Sequence, residues 1–155
     1  GYYNKTPKIE FLYRNNLAMN IANEKTTTQM VDWAALELQK KLGITFKGYS
    51  FYSDTDNDPV RYMLLAEPEG EISKDMLPEI EKVLDEMLNE SNEKYFKYRR
   101  WGMIGEPKVV LLKKDTYADY REMLKKQGKV LNQIKPVTVI NTDERKEFFF
   151  SHLDD

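Results

Sequence analysis

Met76, Leu77, Ile80, Val83, Leu84, Met87 and Leu88 recur at three- and four-residue intervals, and no other stretch limits the fold as tightly. Residues so spaced share one face of a helix, so the pattern predicts a helix with a single apolar stripe. Ser73 is the expected cap, because its hydroxyl can accept from the first free backbone N–H groups. The helical pattern extends past Ser91 towards Tyr98. A one-sided helix must bury its stripe against another layer, and the rest of the chain supplies strands for that purpose.

Lys8 to Tyr13 alternates with period two and predicts a strand; Asn15-Asn16 signals a turn, and Leu17 to Ile21 is expected to pair back as a hairpin. Thr26, with Gln29 three residues on, forms a capping-box pattern for a helix whose Met30, Ala34, Leu38 and Leu42 share a face. Gly43 is expected to end it in the left-handed region. Lys47 to Ser53 and Val60 to Glu67 read as two strands joined by the polar loop Asp54–Pro59. Lys108 to Lys113 is a short apolar run expected to form a buried strand. Asp115 or Thr116 opens a further helix that Gly128 closes, and Thr142 to Leu153 predicts a last short one. The fold class is α+β: a small antiparallel or mixed sheet, an N-terminal β-hairpin, and helices packed on a ferredoxin-like β-α-β-β-α-β core.

Composition narrows the chemistry. With 155 residues, 41% hydrophobic and 32% charged, the chain has the make-up of one globular domain. It has no cysteine and one histidine, which excludes thiolate nucleophiles and the usual zinc sites. A net charge of −2 supplies no broad positive field, so no nucleic-acid partner is expected. No apolar run approaches a membrane span and no signal pattern opens the chain, so the expectation is a cytoplasmic protein without a membrane partner. Gly1 in place of methionine reads as a protease scar, and the chain is expected to be a piece of something longer.

Several local patterns have ordinary explanations. Asp54, Asp56, Asn57 and Asp58 begin like a calcium loop, but Pro59 and Leu65 stand where glycine and glutamate are required, leaving no metal site. Tyr95-Phe-Lys-Tyr-Arg-Arg-Trp101 mixes rings and cations, and Tyr95, Phe96 and Tyr98 are expected to pack the end of a helix. His152 has no acid or nucleophile partner visible in sequence and is expected to be a packing or surface residue. Two lysines sit in polar loops: Lys25 in Asn20-Ile-Ala-Asn-Glu-Lys25, just before a helix N-terminus, and Lys135 in Asn132-Gln-Ile-Lys-Pro136. Free backbone N–H groups and the helix dipole favour an anion near the first, and a lysine suits phosphate. On local sequence alone a solvated loop lysine is the better reading of each.

Four segments in order resemble a known family. Pro7-Lys-Ile-Glu-Phe-Leu-Tyr-Arg14, Asn20-Ile-Ala-Asn-Glu-Lys-Thr26, Thr116-Tyr-Ala-Asp-Tyr120 and Gly128-Lys-Val-Leu-Asn-Gln-Ile-Lys-Pro136 resemble the C-terminal part of the Gretchen Hagen auxin-responsive acyl acid–amido synthetases, which belong with the adenylate-forming enzymes. The resemblance implies a two-step reaction. A carboxylic acid attacks ATP to give an acyl-adenylate and pyrophosphate, and an amino-acid amine then displaces AMP. It implies residues 6–155 as a single mobile C-terminal lid, with residues 1–5 a scar or hinge approach, closing over the adenylate-binding N-terminal domain of the same polypeptide. By this resemblance Lys25 and Lys135 are the catalytic phosphate-contacting residues, Asn20, Glu24 and Gln133 help to bind the nucleotide, and Tyr13-Arg14 is the hinge. ATP or AMP with Mg would be bound by the full-length enzyme and nothing by this chain alone, which would be inactive in isolation. Two positions depart from the family pattern: Tyr13 precedes Arg14 where glycine is commoner, and Asn23 stands where glycine often precedes Glu-Lys. Asparagine tolerates left-handed backbone, so the second loop shape can survive.

Two other readings stay open on sequence. One is a freestanding ferredoxin-like module that binds a small ligand or a protein. The other is an RNA-binding domain stacking bases on Tyr49, Phe51 and Tyr52, against which the acidic balance argues.

Overall fold

The computed structural model describes residues 17–19, 26–128, 138–140 and 142–154. In chain order its elements are β1 (Leu17–Met19), β2 (Thr26–Thr27), α1 (Thr28–Leu42), β3 (Phe46–Asp54), β4 (Arg61–Pro68), a 3-10 turn at Lys74–Met76, α2 (Leu77–Ser91), α3 (Glu93–Arg100), β5 (Lys108–Leu111), α4 (Thr116–Lys126), β6 (Val139–Ile140) and α5 (Asp143–Phe150). The fold is α+β, with a four-stranded mixed sheet in the order β5-β4-β3-β6. β3 and β4 form the expected antiparallel hairpin, and β5 and β6 add in parallel on either side.

Strand alternation divides the sheet between two helical layers. Phe51, Tyr62, Leu64, Ala66 and Val109 point to one side, where α1, α2 and α3 bury Ala34, Leu38, Ile80, Leu84 and Tyr95. Leu65 and Ile140 point to the other, against Tyr120, Leu124 and Phe149 from α4 and α5. The predicted stripe is realised, since Ile80, Val83, Leu84, Met87 and Leu88 are all buried.

Four boundaries differ from the sequence expectation. Leu17–Met19 pairs with Thr26–Thr27 in a separate two-stranded ribbon, while the sheet takes Val139–Ile140 as its fourth strand. The expected strand at Lys8–Tyr13 lies outside the described residues. The cap of α1 is Thr27, not Thr26: its hydroxyl accepts from the Met30 N–H at 3.2 Å. Ser73 caps the 3-10 turn by accepting from the Asp75 N–H, and Pro78 then opens α2. The long helix breaks at Asn92, which adopts an extended backbone (φ −146°) and starts α3 afresh. Gly43 ends α1 in the left-handed region at φ 65°, as expected.

Candidate functional site

All seven residues assigned by resemblance (Tyr13, Arg14, Asn20, Glu24, Lys25, Gln133 and Lys135) lie outside the described residues. The points where the chain rejoins the described fold are well defined, and they converge. Gln39, near the end of α1, accepts from the Phe46 N–H at 2.9 Å, while Asp32, near its start, accepts from the Tyr49 hydroxyl at 2.8 Å. α1 therefore runs antiparallel to β3, and its N-terminus lies over the half of β3 that contains Phe51. The carbonyl of Thr138 accepts from the Phe51 N–H at 2.7 Å, and Val139 is the register partner of Phe51. Tyr62 of β4, whose hydroxyl reaches Thr26, is the register partner of Ser53 on β3. Thr26, just after Lys25, and Thr138, three residues after Lys135, thus enter the fold at the same end of the sheet.

Thr26 is held by a polar node inside the core. Its side chain is buried, and Oγ1 accepts from the Tyr62 hydroxyl at 2.8 Å and from Asn92 Nδ2 at 2.9 Å. Tyr62 is fully buried and stacks on Tyr95, with ring centroids 5.6 Å apart. Asn92 turns its Oδ1 the other way and accepts from the N–H groups of Lys94 and Tyr95, capping α3. One asparagine thereby joins the break between α2 and α3 to the residue that closes the loop before α1. Leaving such a buried hydroxyl without partners would cost about 1–3 kcal/mol, which explains why the three side chains meet. Local sequence gave Thr26 a capping role instead. The signal for the node was the polar run Asn89-Glu-Ser-Asn-Glu93 interrupting the amphipathic pattern.

The electrostatics at this end of the molecule also stand apart. α2, α3, α4 and α5 each carry an acidic residue in the first turn (Glu79, Glu93, Asp119, and Asp143 with Glu144), whereas α1 carries none. The positive end of the α1 dipole is therefore not neutralised by its own first turn. One turn further in, Tyr49 is held protonated well above its ordinary range, chiefly by burial and then by its hydrogen bond to Asp32.

The motif Thr116-Tyr-Ala-Asp-Tyr120 has a structural role. Glu67, buried at the end of β4, accepts through its two carboxylate oxygens from the N–H groups of Asp115 and Tyr117 at 2.9 and 3.0 Å. It satisfies the start of α4, where Asp115 adopts φ 68° and its own side chain makes no cap. The Thr116 hydroxyl donates to the carbonyl of Lys113. Tyr117 lies flat over Gly48, where an added Cβ would stand 2.5 Å from the ring, and its hydroxyl meets Ser50 at 2.6 Å. Tyr120 packs on Phe148 and Phe149, each centroid 5.1 Å away. Beside Glu67 runs an open groove of about 790 Å³ lined by residues including Lys47, Glu69, Glu71, Lys114 and Asp154. It sits where β4 ends, opposite Phe46, and so at the other end of the sheet from the Thr26 node.

Asp54–Pro59 forms the β3–β4 turn, with Asp54 paired to Arg61 at 2.9 Å. Tyr95 is buried and donates to Asp85, which also receives both arms of Arg99. Tyr98 packs on the core, but Phe96 is exposed and carries Arg100 over its ring, a departure from the expected packing. His152 stacks on Phe148 and shares a hydrogen bond with that residue's carbonyl. Among the described residues no helix is long and apolar enough to cross a membrane. Among them, too, no group of three or more acidic or histidine side chains could hold a metal ion.

Comparison with known proteins covers most of the chain, with the family model beginning after the first two segments of the resemblance. The model of the GH3 family C-terminal domain matches residues 29–144. A jasmonoyl–L-amino acid synthetase, GH3.5 of Oryza sativa subsp. japonica, is 24% identical over 148 residues, covering 94% of this chain and 25% of that protein. A 4-substituted benzoates–glutamate ligase, GH3.12 of Arabidopsis thaliana, is 27% identical over 148 residues, covering 87% and 26%. The chain thus spans about a quarter of the length of these relatives. The solved structure of the GH3.15 acyl acid amido synthetase shares the fold, with a TM-score of 0.78 at 16% identity over 90% of this chain and 26% of that one. The match over most of its length shows that the chain belongs to the GH3 family as a C-terminal domain.

Proposed function

We propose that this domain works as the mobile lid of an ATP-dependent acyl acid–amido synthetase, closing over an N-terminal adenylate-binding domain of the same polypeptide. In this reading ATP, accompanied by Mg, is a substrate. The carboxylate of the acyl acid attacks its α-phosphorus, the bond to the bridging oxygen breaks, and pyrophosphate leaves. The amine of an amino acid then attacks the acyl carbon, an amide forms, and AMP departs. Lys25 and Lys135 would place positive charge against the phosphates as pyrophosphate separates, with Asn20, Glu24 and Gln133 nearby and Tyr13-Arg14 as the hinge. Closure would keep water from the mixed anhydride.

The observation that supports this reading is that Thr26 and Thr138, which follow Lys25 and Lys135 in sequence, enter the fold at the same end of the sheet. The α1 N-terminus, without acidic residues in its first turn, adds support on the same side. The relatives' different acyl groups, jasmonoyl and 4-substituted benzoates, leave the acid to be assigned by assay. The test is ATP–pyrophosphate exchange by the full-length protein, with jasmonate and 4-hydroxybenzoate among the acids offered. Lys25→Ala and Lys135→Ala should each lower the rate by about 100-fold, the scale of losing one preorganised charge contact, without altering the fold. Unchanged exchange in either variant removes that lysine from the mechanism.

A further inference from the structure

We propose that the exposed face of α3 and the turn after it, formed by Phe96, Lys97, Arg100, Trp101 and Met103, docks an acidic peptide segment of another protein. The segment sets an apolar side chain beside Trp101 and carboxylates beside Lys97 and Arg100. Among the described residues the exposed large apolar side chains are Trp33, Leu36, Phe96, Trp101 and Met103, and the last three fall in one stretch of chain. Trp101 is the most open of them, at 67%. Single exposed apolar residues need no explanation, whereas a cluster rimmed by charge marks an interaction surface. Aromatic rings, Met and Arg together are also the composition of interface centres.

Charge complementarity names the partner. α3 carries Lys94, Lys97, Arg99 and Arg100 against the single acid Glu93. Arg99 is paired with Asp85 at 2.8 Å, while Lys94, Lys97 and Arg100 form no ion pair among the described residues. These cations stand out from a chain of net charge −2, and the surface they fit is acidic. Cations near a helix C-terminus answer its dipole, which accounts for Lys97 and Arg100 but not for the exposed rings beside them. Phe96 and Arg100 are four residues apart, as are Lys97 and Trp101, so two pairs of ring and cation lie side by side. The Arg100 guanidinium stands 5.5 Å from the Phe96 centroid. The surface is also held in shape before any partner arrives. The Trp101 ring rests 5.7 Å from that of Tyr98, which packs on the core. The N–H groups of Trp101, Gly102 and Met103 donate to the carbonyls of Lys97, Arg99 and Tyr98 at 3.0, 3.2 and 2.9 Å. Anchors fixed in advance lose less freedom on binding. A nucleic acid fits less well, because Arg100 covers the Phe96 ring and the cations follow one short helix rather than a track of phosphates.

The experiment is fluorescence anisotropy on the full-length protein with a labelled peptide in which a Trp-Leu pair is flanked on both sides by Asp and Glu. The peptide should bind with a Kd below about 1 mM, and oligoglutamate of equal length at least about fivefold more weakly. Trp101→Ala should weaken the peptide by about 10-fold and Arg100→Gln by about threefold, and the second carries the test if the first does not fold. Lys126→Gln, on the opposite layer, should change the Kd by less than about twofold. Failure of the peptide to bind would overturn the proposal, and so would equal losses in Lys126→Gln and Arg100→Gln, which would show unspecific attraction. Oligodeoxythymidine bound more tightly than the peptide would give the surface to single-stranded nucleic acid instead. Self-association of the parent that Trp101→Ala abolishes would give it to a second copy. A fall of more than about threefold in ATP–pyrophosphate exchange by Trp101→Ala would assign it to contact within the enzyme. Each of these three results overturns the peptide partner.

Discussion

The two faces of the sheet are covered by different kinds of layer. On one side α1 and α2, fifteen residues each, present aliphatic stripes: Val31, Ala34, Ala35 and Leu38 from the first, Ile80, Val83, Leu84 and Leu88 from the second. On the other, α4 and α5 have eleven and eight residues and cover the sheet largely with rings, Tyr117, Tyr120, Phe148, Phe149 and Phe150. Long helices gain stability from the area of a continuous stripe, whereas short ones depend on large side chains and well-satisfied ends. Glu67 supplies such an end, since its buried carboxylate takes the place of a cap for α4. The aliphatic side also holds the Thr26 node.

The sharpest way to break this comparison is to cut one leucine from each face. Leu84→Ala should cost about 4 kcal/mol and Leu124→Ala about 2, because only the first is fully enclosed. Urea unfolding of the two variants measures both, and equal losses would mean that the faces contribute alike. A smaller effect tests the carboxylate cap. Glu67→Gln keeps one acceptor oxygen and puts an amide donor where the second N–H now points, so it should destabilise by about 1–3 kcal/mol. Amide exchange at Asp115 and Tyr117 should rise more than at Ile80. Uniform exchange would mean that Glu67 supports the whole domain rather than α4.

The smallest effect concerns the buried tyrosines. Tyr49, Tyr95 and Tyr117 all titrate above the ordinary tyrosine range, in each case chiefly because burial disfavours the phenolate. A raised folded-state value means stability fully present below the unfolded tyrosine pKa and lost as pH climbs from there towards the folded value. Stability should therefore be level for these groups up to about pH 9 and fall above about pH 10. Tyr95→Phe should flatten that fall by less than about 1 kcal/mol between pH 9 and 10.5, read by chemical unfolding at each pH. An unaltered slope would mean that Tyr95 does not titrate differently in the two states.

The parts of the fold legible in sequence were those fixed by local periodicity and local stops. The stripe from Ile80 to Leu88 and the left-handed Gly43 are such cases, because spacing and backbone freedom are properties of a few neighbouring residues. Choosing between two adjacent threonines as a cap was not possible locally. Thr26 is claimed by Tyr62 and Asn92, residues far along the chain, which leaves Thr27 to cap α1. Val139–Ile140 is too short to announce itself as a strand, and only its pairing with Phe51 and Tyr52 makes it one. Of the candidate site, the two lysines are proposed from the order of four motifs rather than from their surroundings, since a polar loop around one lysine carries no distinctive chemistry, and both lie outside the described residues. The node beside Lys25 was hidden because its three members are distributed over the chain.

The pairing of β6 also sets an order of assembly. Residues from Phe46 to Leu111 contain a hairpin, a helical crossover and a parallel strand, and can begin to associate as soon as they are synthesised. The last place in the sheet stays empty until Val139 and Ile140 have left the ribosome, and the contact between Leu112 and Leu153 waits longer still. During that interval the ring-bearing face of β3 and β4 has only α4 to cover it. The newborn domain must keep that surface from other chains until α5 arrives to cover it.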